Sequence, residues 1–231
     1  VDVRASDVIF KQLSEAYRKI RNTARILLAN LGEGEGAFNP DCDLVPDEEL
    51  YDIDRWALSR YNDLVKVCRE AYDDFEFHVI YHEIANFCTT EMSKLYVDIT
   101  KDRVYTEPAG SKARNCALTV MYRVLDGLTR LLAPLISFTA EEIWQAMPHS
   151  SSEKCESVFL NEMPSYNESL VFAEVTAKYD HLFELRDDMM KALELARAEK
   201  LIGKSLDAKI TVYTEDEAVY ALLCDFGKEL A

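Results

Sequence analysis

Glycine and proline are scarce in this sequence, with seven and six copies among 231 residues. Both residues punctuate the frequent turns of all-β proteins, so their scarcity argues against that class of fold. Hydrophobic residues make up 48% of the chain, which is enough to build a substantial core and excludes a disordered polypeptide. These totals predict a mainly α-helical globular protein of one large or two small domains.

Basic residues are also few, since 26 lysines and arginines stand against 42 aspartates and glutamates, for a formal net charge of -16. Proteins bind nucleic acids largely by placing Lys and Arg against phosphates, where they displace counterions. A protein whose whole surface binds nucleic acid is therefore excluded. Any such binding must be confined to a local basic patch.

The six cysteines include no C-x-x-C pair, and no apolar stretch is long enough to cross a bilayer. The first residues show no basic segment followed by an apolar one, which is the pattern of a leader peptide. These absences argue against a zinc ribbon, a disulfide framework and a membrane protein, and they favour a cytoplasmic protein with reduced thiols. Because the sequence starts without Met and stops at "DFGKELA", we expect it to be part of a larger protein.

The first clear helical pattern covers residues 7–31. At about 100° per residue its apolar residues fall on one side, as a core-facing stripe requires. Ser6 is placed to cap the start of this helix and Gly32 to end it. The predicted stripe consists of Ile9, Leu13, Ala16, Ile20, Ala24, Leu27 and Leu31.

Further helical patterns follow at residues 53–73, 77–99 and 112–132. A short fifth helix is predicted in "SFTAEEIWQAMP", with Thr139 as its N-cap and Glu142 completing a capping box. The connection between the second and third helices is too short for anything except an antiparallel hairpin. The sequence therefore predicts an antiparallel helical bundle over residues 1–164.

Composition changes after this bundle, and a small α/β junction segment is predicted over residues 165–231. It begins with a long helix over residues 168–202. "LDAKITVY" alternates like a strand, and "EDEAVYALLCDF" is typical of one more helix. The lone strand needs a partner, for which "VFL" at residues 158–160 is a candidate.

A basic line occupies the face of the first helix opposite its apolar stripe, and it consists of Lys11, Arg18, Arg21, Asn22 and Arg25. A helix must expose polar residues somewhere, so a solvated face is the simpler interpretation. If the helices alternate in direction, the ends of the first and third helices meet the start of the fourth and gather further cations there. A phosphate backbone is the natural ligand of such a patch, although the acidic loop after Gly32 counts against it. The cations gathered would be Arg25, Lys101, Arg103, Lys112 and Arg114.

No sequence pattern of a catalytic centre is present. "HVIYHE" places His78 and His82 four residues apart, but the order differs from the H-E-x-x-H of zinc proteases and no third ligand is evident. Phosphate-binding and nucleophile-elbow motifs are absent as well. Packing histidines are the simpler interpretation, with a metal-dependent helical enzyme as the alternative.

Five segments of the sequence, spread in order along the chain, resemble the C-terminal anticodon-binding region of bacterial-type isoleucyl-tRNA synthetases, which are class I aminoacyl-tRNA synthetases. The stretches around "FTAEEIW" and "IGKSLDA" are shared with the valyl enzymes, whereas Y-x-D-I-x-K-D-R-x-Y points to the isoleucyl member. The five segments are "SEAYRKIRNTARILLANL" (14–31), "EMSKLYVDITKDRVYT" (91–106), "LLAPLISFTAEEIWQAMP" (131–148), "SVFLNEMP" (157–164) and "ARAEKLIGKSLDAKITVY" (196–213).

The resemblance implies a helical domain that binds the anticodon stem-loop of isoleucine tRNA and presents it to a catalytic core outside this chain. The implied partners are isoleucine tRNA and the catalytic and C-terminal parts of the same parent chain, with no membrane. The family's catalytic motifs are missing, so we expect the fragment to be inactive alone and to hold no cofactor. The parent enzyme is expected to use ATP, magnesium and often zinc.

Matching positions supply the expected tRNA-binding residues. Trp144 ranks second among them. It offers a ring for base stacking, but a Trp on a short helix is more often a packing anchor. The alternatives are the corresponding domain of a valyl enzyme and a helical protein-interaction scaffold. The expected residues are Arg18, Arg21, Asn22, Arg25, Lys101, Arg103 and Trp144.

Overall fold

The computed structural model describes residues 5–34, 36–204 and 207–227. Within these ranges the fold is helical and contains no β-strand, which confirms the mainly α prediction. A π-helix (Cys88–Tyr96) and three short 3₁₀ helices (Asp47–Glu49, Val158–Leu160 and Glu168–Leu170) add to the α-helices. The α-helices are α1 (Asp7–Leu31), α2 (Asp52–Asp73), α3 (Phe77–Phe87), α4 (Val97–Thr106), α5 (Lys112–Leu132), α6 (Ser137–Ala146), α7 (Ala173–Ala198) and α8 (Glu217–Phe226).

Helix α1 has the predicted limits because both of its ends are chemically defined. The Ser6 side chain accepts a hydrogen bond from the amide of Ile9 at 3.3 Å, which satisfies one of the amides left open at a helix start. Gly32 ends the helix at φ 77°, a left-handed conformation that glycine adopts without strain.

Helices α1 to α5, with the π-helix between α3 and α4, form a bundle around one core. Helix α2 packs against α3 and α5, α1 packs against α5, α3 and the π-helix, and α4 packs against α5. Helix α5 is central, and Gly127 lets it approach α2 closely, since a Cβ there would lie 1.6 Å from the Tyr61 hydroxyl. The largest fully buried side chains are Trp56, Trp144, Tyr96, Leu27, Leu31, Leu58, Ile80, Ile84, Met92, Leu118, Met121 and Leu125.

The predicted third helix is longer than expected and has a π-helical middle. It continues from α3 through the π-helix and α4 to Thr106, so Lys101 and Arg103 lie within a helix and the prediction of a helix end at residue 99 is wrong. The Thr23 hydroxyl of α1 is 3.2 Å from the Cys88 carbonyl at the start of the π-helix. A π-helix departs from the regular hydrogen-bond pattern of an α-helix. The Thr23 hydroxyl, from the neighbouring helix, is a donor for the Cys88 carbonyl at this point.

Helix α6 begins at Ser137, and the predicted capping box is wrong. Its N-cap is Ile136, which supplies no side-chain hydrogen bond. Thr139 and Glu142 instead contact α1, through Tyr17 and Arg21 respectively. Long-range contacts therefore take the two polar side chains that the local motif would have used.

Residues 147–172 fold back onto the bundle. The predicted extended piece at Val158–Leu160 is a 3₁₀ helix, which corrects that expectation. Asn167 and Asn62 exchange two hydrogen bonds, at 2.8 and 2.9 Å, and so tie this segment to α2. The chain divides into compact units after Phe172, eight residues beyond the predicted boundary between residues 164 and 165.

The second unit contains α7 and α8. The rings of Tyr179 and Phe226 meet edge to face at 5.0 Å, and Lys178 pairs with Asp225. The predicted strand is wrong over residues 207–213, because Asp207 has a 3₁₀ conformation and residues 208–213 have no regular structure, while Leu206 lies outside the described residues. A strand is stable only when a neighbour satisfies its backbone groups, and the described part of this unit offers none.

Candidate nucleic-acid interface

The outward face of α1 carries four exposed polar side chains, which we call the basic face: Arg18, Arg21, Asn22 and Arg25. The opposite face of the same turns is buried, through residues that include Ile20, Ala24 and Leu27. Since the apolar stripe fixes the rotation of the helix against the bundle, the basic face must point to solvent. The structure thus brings these four predicted residues together.

Two of the arginines on the basic face already have partners. Arg21 donates from one Nη2 to both carboxylate oxygens of Glu142 on α6, at 3.0 and 3.3 Å. This hydrogen bond, together with the charge of Glu142, raises the pKa of Arg21. Arg18 donates to the carbonyl and the hydroxyl of Ser14, one turn earlier. All of these contacts are exposed, so a phosphate group can compete for the guanidinium groups.

Arg103 points inward and belongs to a buried ion pair. Its Nη1 and Nη2 donate to the two carboxylate oxygens of Asp54 at 3.0 and 2.9 Å. Asp54 is fully buried and also accepts from the hydroxyl of Tyr96 at 2.7 Å. Burial lowers the pKa of Arg103, but the hydrogen bonds and charge of Asp54 outweigh that effect and raise it. The side chain therefore holds the start of α2 against α4.

Three of the cations expected to gather near Arg103 have partners of their own. Lys101 pairs with Asp98 at 3.0 Å, and Lys112 pairs with Glu49 at 2.9 Å. Arg114 donates to the carbonyl of Val104 at 3.3 Å, which brings α4 and α5 together. In this corner the lysines are paired with carboxylates. Two of the predicted tRNA-binding residues lie here, Lys101 and Arg103, and only Lys101 is exposed.

Trp144 lies in the core, and its ring is not accessible to a base. The side chain has no exposed surface, and its Nε1 donates to the carbonyl of Cys155 at 3.1 Å. The guanidinium carbon of Arg130 lies 5.1 Å from the ring centre, and the His149 ring lies 4.3 Å away. The stacking role is corrected to a packing role, because the linker after α6 closes over the indole.

The histidine pair belongs to no cluster of candidate metal ligands in the described part of the chain. His78 and His82 are both exposed on α3. Among the described residues, no group of three or more His, Cys, Asp or Glu side chains is arranged to hold a metal ion.

A family model described as the anticodon-binding domain of tRNA ligase matches residues 54–212. The chain belongs to this family. Helix α1, with the basic face, precedes the matched residues, whereas the ion-paired corner around Asp54 and Arg103 lies within them.

Curated relatives extend the similarity of this anticodon-binding domain to the whole chain. The isoleucine–tRNA ligase of Syntrophotalea carbinolica is 48% identical over 230 residues, which is 100% of this chain and 24% of the relative. The corresponding ligase of Caldanaerobacter subterraneus is 49% identical over 216 residues, and that of Listeria monocytogenes 47% over 217, each covering 94% of this chain and 23% of the relative. The chain thus spans about a quarter of the length of these relatives.

The structure adds two residues that sequence reasoning did not select. Glu142 was interpreted as half of a local capping box, and only the folded chain shows it against Arg21. Asp54 was not singled out in the sequence, and it is the buried partner of Arg103. Apart from the proximity of Asp54 to the helix start, the sequence carried no signal for either pairing.

No helix in the described part of the chain is long and apolar enough to cross a membrane.

Proposed function

We propose that this chain is the anticodon-binding region of an isoleucine–tRNA ligase, which holds the anticodon stem-loop of isoleucine tRNA for aminoacylation by a catalytic part outside this chain. The observation that carries the proposal is the sequence identity of 47% to 49% to isoleucine–tRNA ligases over 94% to 100% of the chain. Valyl enzymes share some of the same sequence motifs, so the choice of tRNA is tested directly below.

The basic face of α1 is the surface that we assign to the RNA backbone. Three guanidinium groups lie on one exposed helical face, and each offers a planar pair of donors that suits a phosphate better than the single ammonium of a lysine does. Asn22 lies among them and can bond to a base edge or a 2′-hydroxyl. Lys101 is retained as a secondary contact, since it is exposed and its ion pair with Asp98 is open to solvent.

Arg103 and Trp144 are left out of the proposed surface. Arg103 satisfies a buried carboxylate, and moving it onto RNA would leave Asp54 charged and unpaired inside the protein. Trp144 would have to leave the core to reach a base. Both residues stabilise the fold instead.

The parent enzyme is proposed to use ATP and magnesium and, like many members of its family, zinc. Its catalytic and C-terminal parts are then the partners of this region within one polypeptide, and cytoplasm is the proposed location. Because the catalytic centre lies elsewhere in this proposal, the region alone is expected to bind tRNA without charging it.

The test is a binding titration of the purified region with isoleucine tRNA and with valine tRNA at several salt concentrations. RNA binding predicts that the logarithm of affinity falls with the logarithm of salt concentration, by roughly 0.7 to 0.9 per phosphate contact. Tighter binding of isoleucine tRNA supports the assignment, whereas tighter binding of valine tRNA would move the chain to the valyl enzymes.

Charge-reversed variants locate the surface. Arg18→Glu and Arg25→Glu should each weaken binding and make the salt slope shallower by about 1 or more. Arg69→Glu is the matched control, because Arg69 is an exposed arginine on α2 and the change in net charge is the same. Equal losses in all three variants would show a general charge effect and would remove the assignment to α1. Retained binding to an acidic protein but not to RNA would favour the interaction scaffold.

A further inference from the structure

A row of polar side chains follows one face of α3 and the π-helix. Its members, which we call the polar row, recur every four residues: His82, Asn86, Thr90 and Lys94. Three of them are exposed, and Thr90 is half-buried. The Thr90 hydroxyl donates to Oδ1 of Asn86 at 3.3 Å, so neighbouring members lie side by side. The row therefore offers neutral and cationic hydrogen-bonding groups along the length of this segment.

The helix that carries the polar row packs beside α1. The Tyr81 hydroxyl is 3.3 Å from the Gln12 carbonyl, and the hydroxyls of Thr23 and Ser93 are 3.0 Å apart. Residue numbers rise together along these two contacts, so α1 and the segment run parallel. Tyr81 and Ser93 each come one position before a member of the row. The row thus lies next to the line of contact with α1.

The core residues of the same segment show that the polar row faces solvent. Ile80, Ile84 and Met92 are fully buried, and each lies two positions before a member of the row. Two positions turn a helix by about 200°, so the row faces away from the core. The basic face of α1 is likewise opposite its buried stripe. Because packed helices lie about 8 to 10 Å apart, the two form neighbouring ridges on one side of the bundle.

The acidic side chains of the segment face a different neighbour. Residues 81–95 include two acids, Glu83 and Glu91. Glu91 lies 3.6 Å from Arg60 on α2. Burial, and secondly the charge of Glu83, raise the pKa of the Cys68 thiol on α2 to about 12. Both carboxylates are therefore on the α2 side, and the side toward α1 is left to the polar row.

The π-helix keeps Lys94 in the row. Each four-residue step along an α-helix passes a full turn by about 40°, so three steps would move Lys94 about 120° from His82, toward α2. The hydrogen bonds of a π-helix run between residues five apart, and its wider turn reduces this drift. The irregular segment thus holds a cation on the solvent face beside α1.

Carboxylates border the two ridges. Glu142 lies on the other flank of α1, where it pairs with Arg21. Glu15 is exposed on α1 one turn before Arg18, and Asp98 follows the polar row by one turn. An RNA backbone on the basic face therefore meets negative charge toward α6 and hydrogen-bond donors toward the π-helix.

We propose that the polar row is a second contact surface for the sugar–phosphate backbone of an RNA bound on the basic face. The proposal rests on the proposed function in taking RNA as the ligand. Amide, hydroxyl and imidazole groups bind phosphate oxygens and 2′-hydroxyls, and Lys94 adds a positive charge. A backbone held by one ridge can turn about it, whereas contacts on two parallel ridges fix its direction.

The first test extends the titration with isoleucine tRNA to Lys94→Glu. Loss of one phosphate contact should lower affinity by at least roughly five-fold at about 0.1 M salt and make the salt slope shallower by about 1. Lys66→Glu is the matched control, because Lys66 is an exposed lysine on α2 and the net charge changes equally. Its effect should be below about two-fold, since salt screens distant charges. Equal losses in the two variants would overturn the proposal.

A neutral variant separates hydrogen bonding from charge. Asn86→Ala with Thr90→Val should lower affinity by roughly two- to ten-fold, because two hydrogen-bonding groups are lost. The salt slope should stay unchanged, since these side chains displace no counterions. Affinity equal to that of wild type would overturn the contact at this part of the row.

The result also distinguishes this proposal from the proposed function. If Arg18→Glu weakens binding while Lys94→Glu behaves like Lys66→Glu, the basic face stands and the polar row is overturned. If the wild-type region binds no RNA even at low salt, both proposals are overturned together.

Discussion

At the scale of single residues, Asp54 organises the corner where α2 begins. It has no exposed surface and accepts hydrogen bonds from Arg103 and Tyr96 as well as a 3.3 Å contact from the amide of Tyr51. The Arg103 guanidinium also lies 5.2 Å from the centre of the Tyr51 ring. A buried carboxylate is tolerated only while its charge is matched, so the corner depends on Arg103.

Removing that match should destabilise the fold strongly. Arg103→Met keeps the side-chain length but leaves Asp54 as an uncompensated buried charge, for an expected loss of about 3 to 5 kcal/mol in the free energy of unfolding. Urea denaturation of the region measures the loss.

The control for this prediction is Lys101→Met on the same helix. Its partner Asp98 is half-exposed and the pair is screened by solvent, so the expected change in stability is much smaller than for Arg103→Met. The double variant Arg103→Met with Asp54→Leu should recover part of the lost stability, because it removes the stranded charge. A single Arg103→Met variant as stable as Lys101→Met would contradict the buried ion pair.

At the scale of secondary-structure elements, α1 carries three separate surfaces. One stripe enters the core, the opposite stripe forms the basic face, and the first turns continue the apolar stripe beyond the bundle. Helix α6 contacts it through Tyr17 and Arg21, so α6 controls how much of the basic face is available. The carboxylate of Glu142 occupies Arg21 in the absence of RNA.

Glu142→Gln should therefore strengthen tRNA binding. The change removes a negative charge beside the proposed phosphate path and releases Arg21 from a weak, exposed ion pair, so affinity should rise by up to roughly five-fold. The gain is measured by titration with isoleucine tRNA at low salt.

Glu162→Gln serves as the control, because it removes one exposed carboxylate from the segment after α6. If both variants raise affinity equally, the effect is one of net charge and Glu142 has no specific role. Combining Glu142→Gln with Arg21→Gln should abolish the gain, since the released group is then absent.

At the scale of the whole molecule, acidity is the dominant property. A net charge of -16 repels RNA from most of the surface, so the basic face provides a local attraction within a generally repulsive field. One of the acidic residues, Asp126, lies in the interior, where its carboxylate accepts a hydrogen bond from Arg130 at 2.8 Å. Burial outweighs this arginine and raises the pKa of Asp126 to about 6.

This raised pKa predicts a pH dependence of stability. The folded state binds more protons than the unfolded state between the ordinary pKa of Asp126, 3.8, and about 6, so this carboxyl stabilises the fold when protonated. Its contribution should be fully present below about pH 4 and should be lost as pH rises through about 6, by at most about 3 kcal/mol.

The measurement compares wild type with Asp126→Asn by urea denaturation between pH 4 and 7. The other ionisable groups are the same in both proteins, so the difference between the two curves reports on Asp126. The variant should gain stability relative to wild type as pH rises from 4 to 6, and the difference should be constant above about pH 7. A difference that does not change with pH would contradict the raised pKa.

Periodicity determined much of this fold because helix formation is largely a local property. The limits of α1 and α5 follow from their apolar stripes and caps, and both were predicted at the observed residues. The end of the third helix was missed because the π-helix breaks the 3.6-residue period, after which the chain resumes as α4. Whether residues 207–213 form a strand depends on a neighbour that no local pattern specifies.

By itself, the sequence determined the family, the helical class and the exposure of Arg18, Arg21, Asn22 and Arg25, because an apolar stripe forces the opposite face of its own helix outward. Only the tertiary structure decided the fates of Arg103 and Trp144. Arg103 meets a carboxylate 49 residues away, and Trp144 is covered by the chain that follows it. The packing of all the helices together decides which side chain a residue meets across the core. The helical period describes only one helix, so it cannot predict contacts between residues far apart in the sequence.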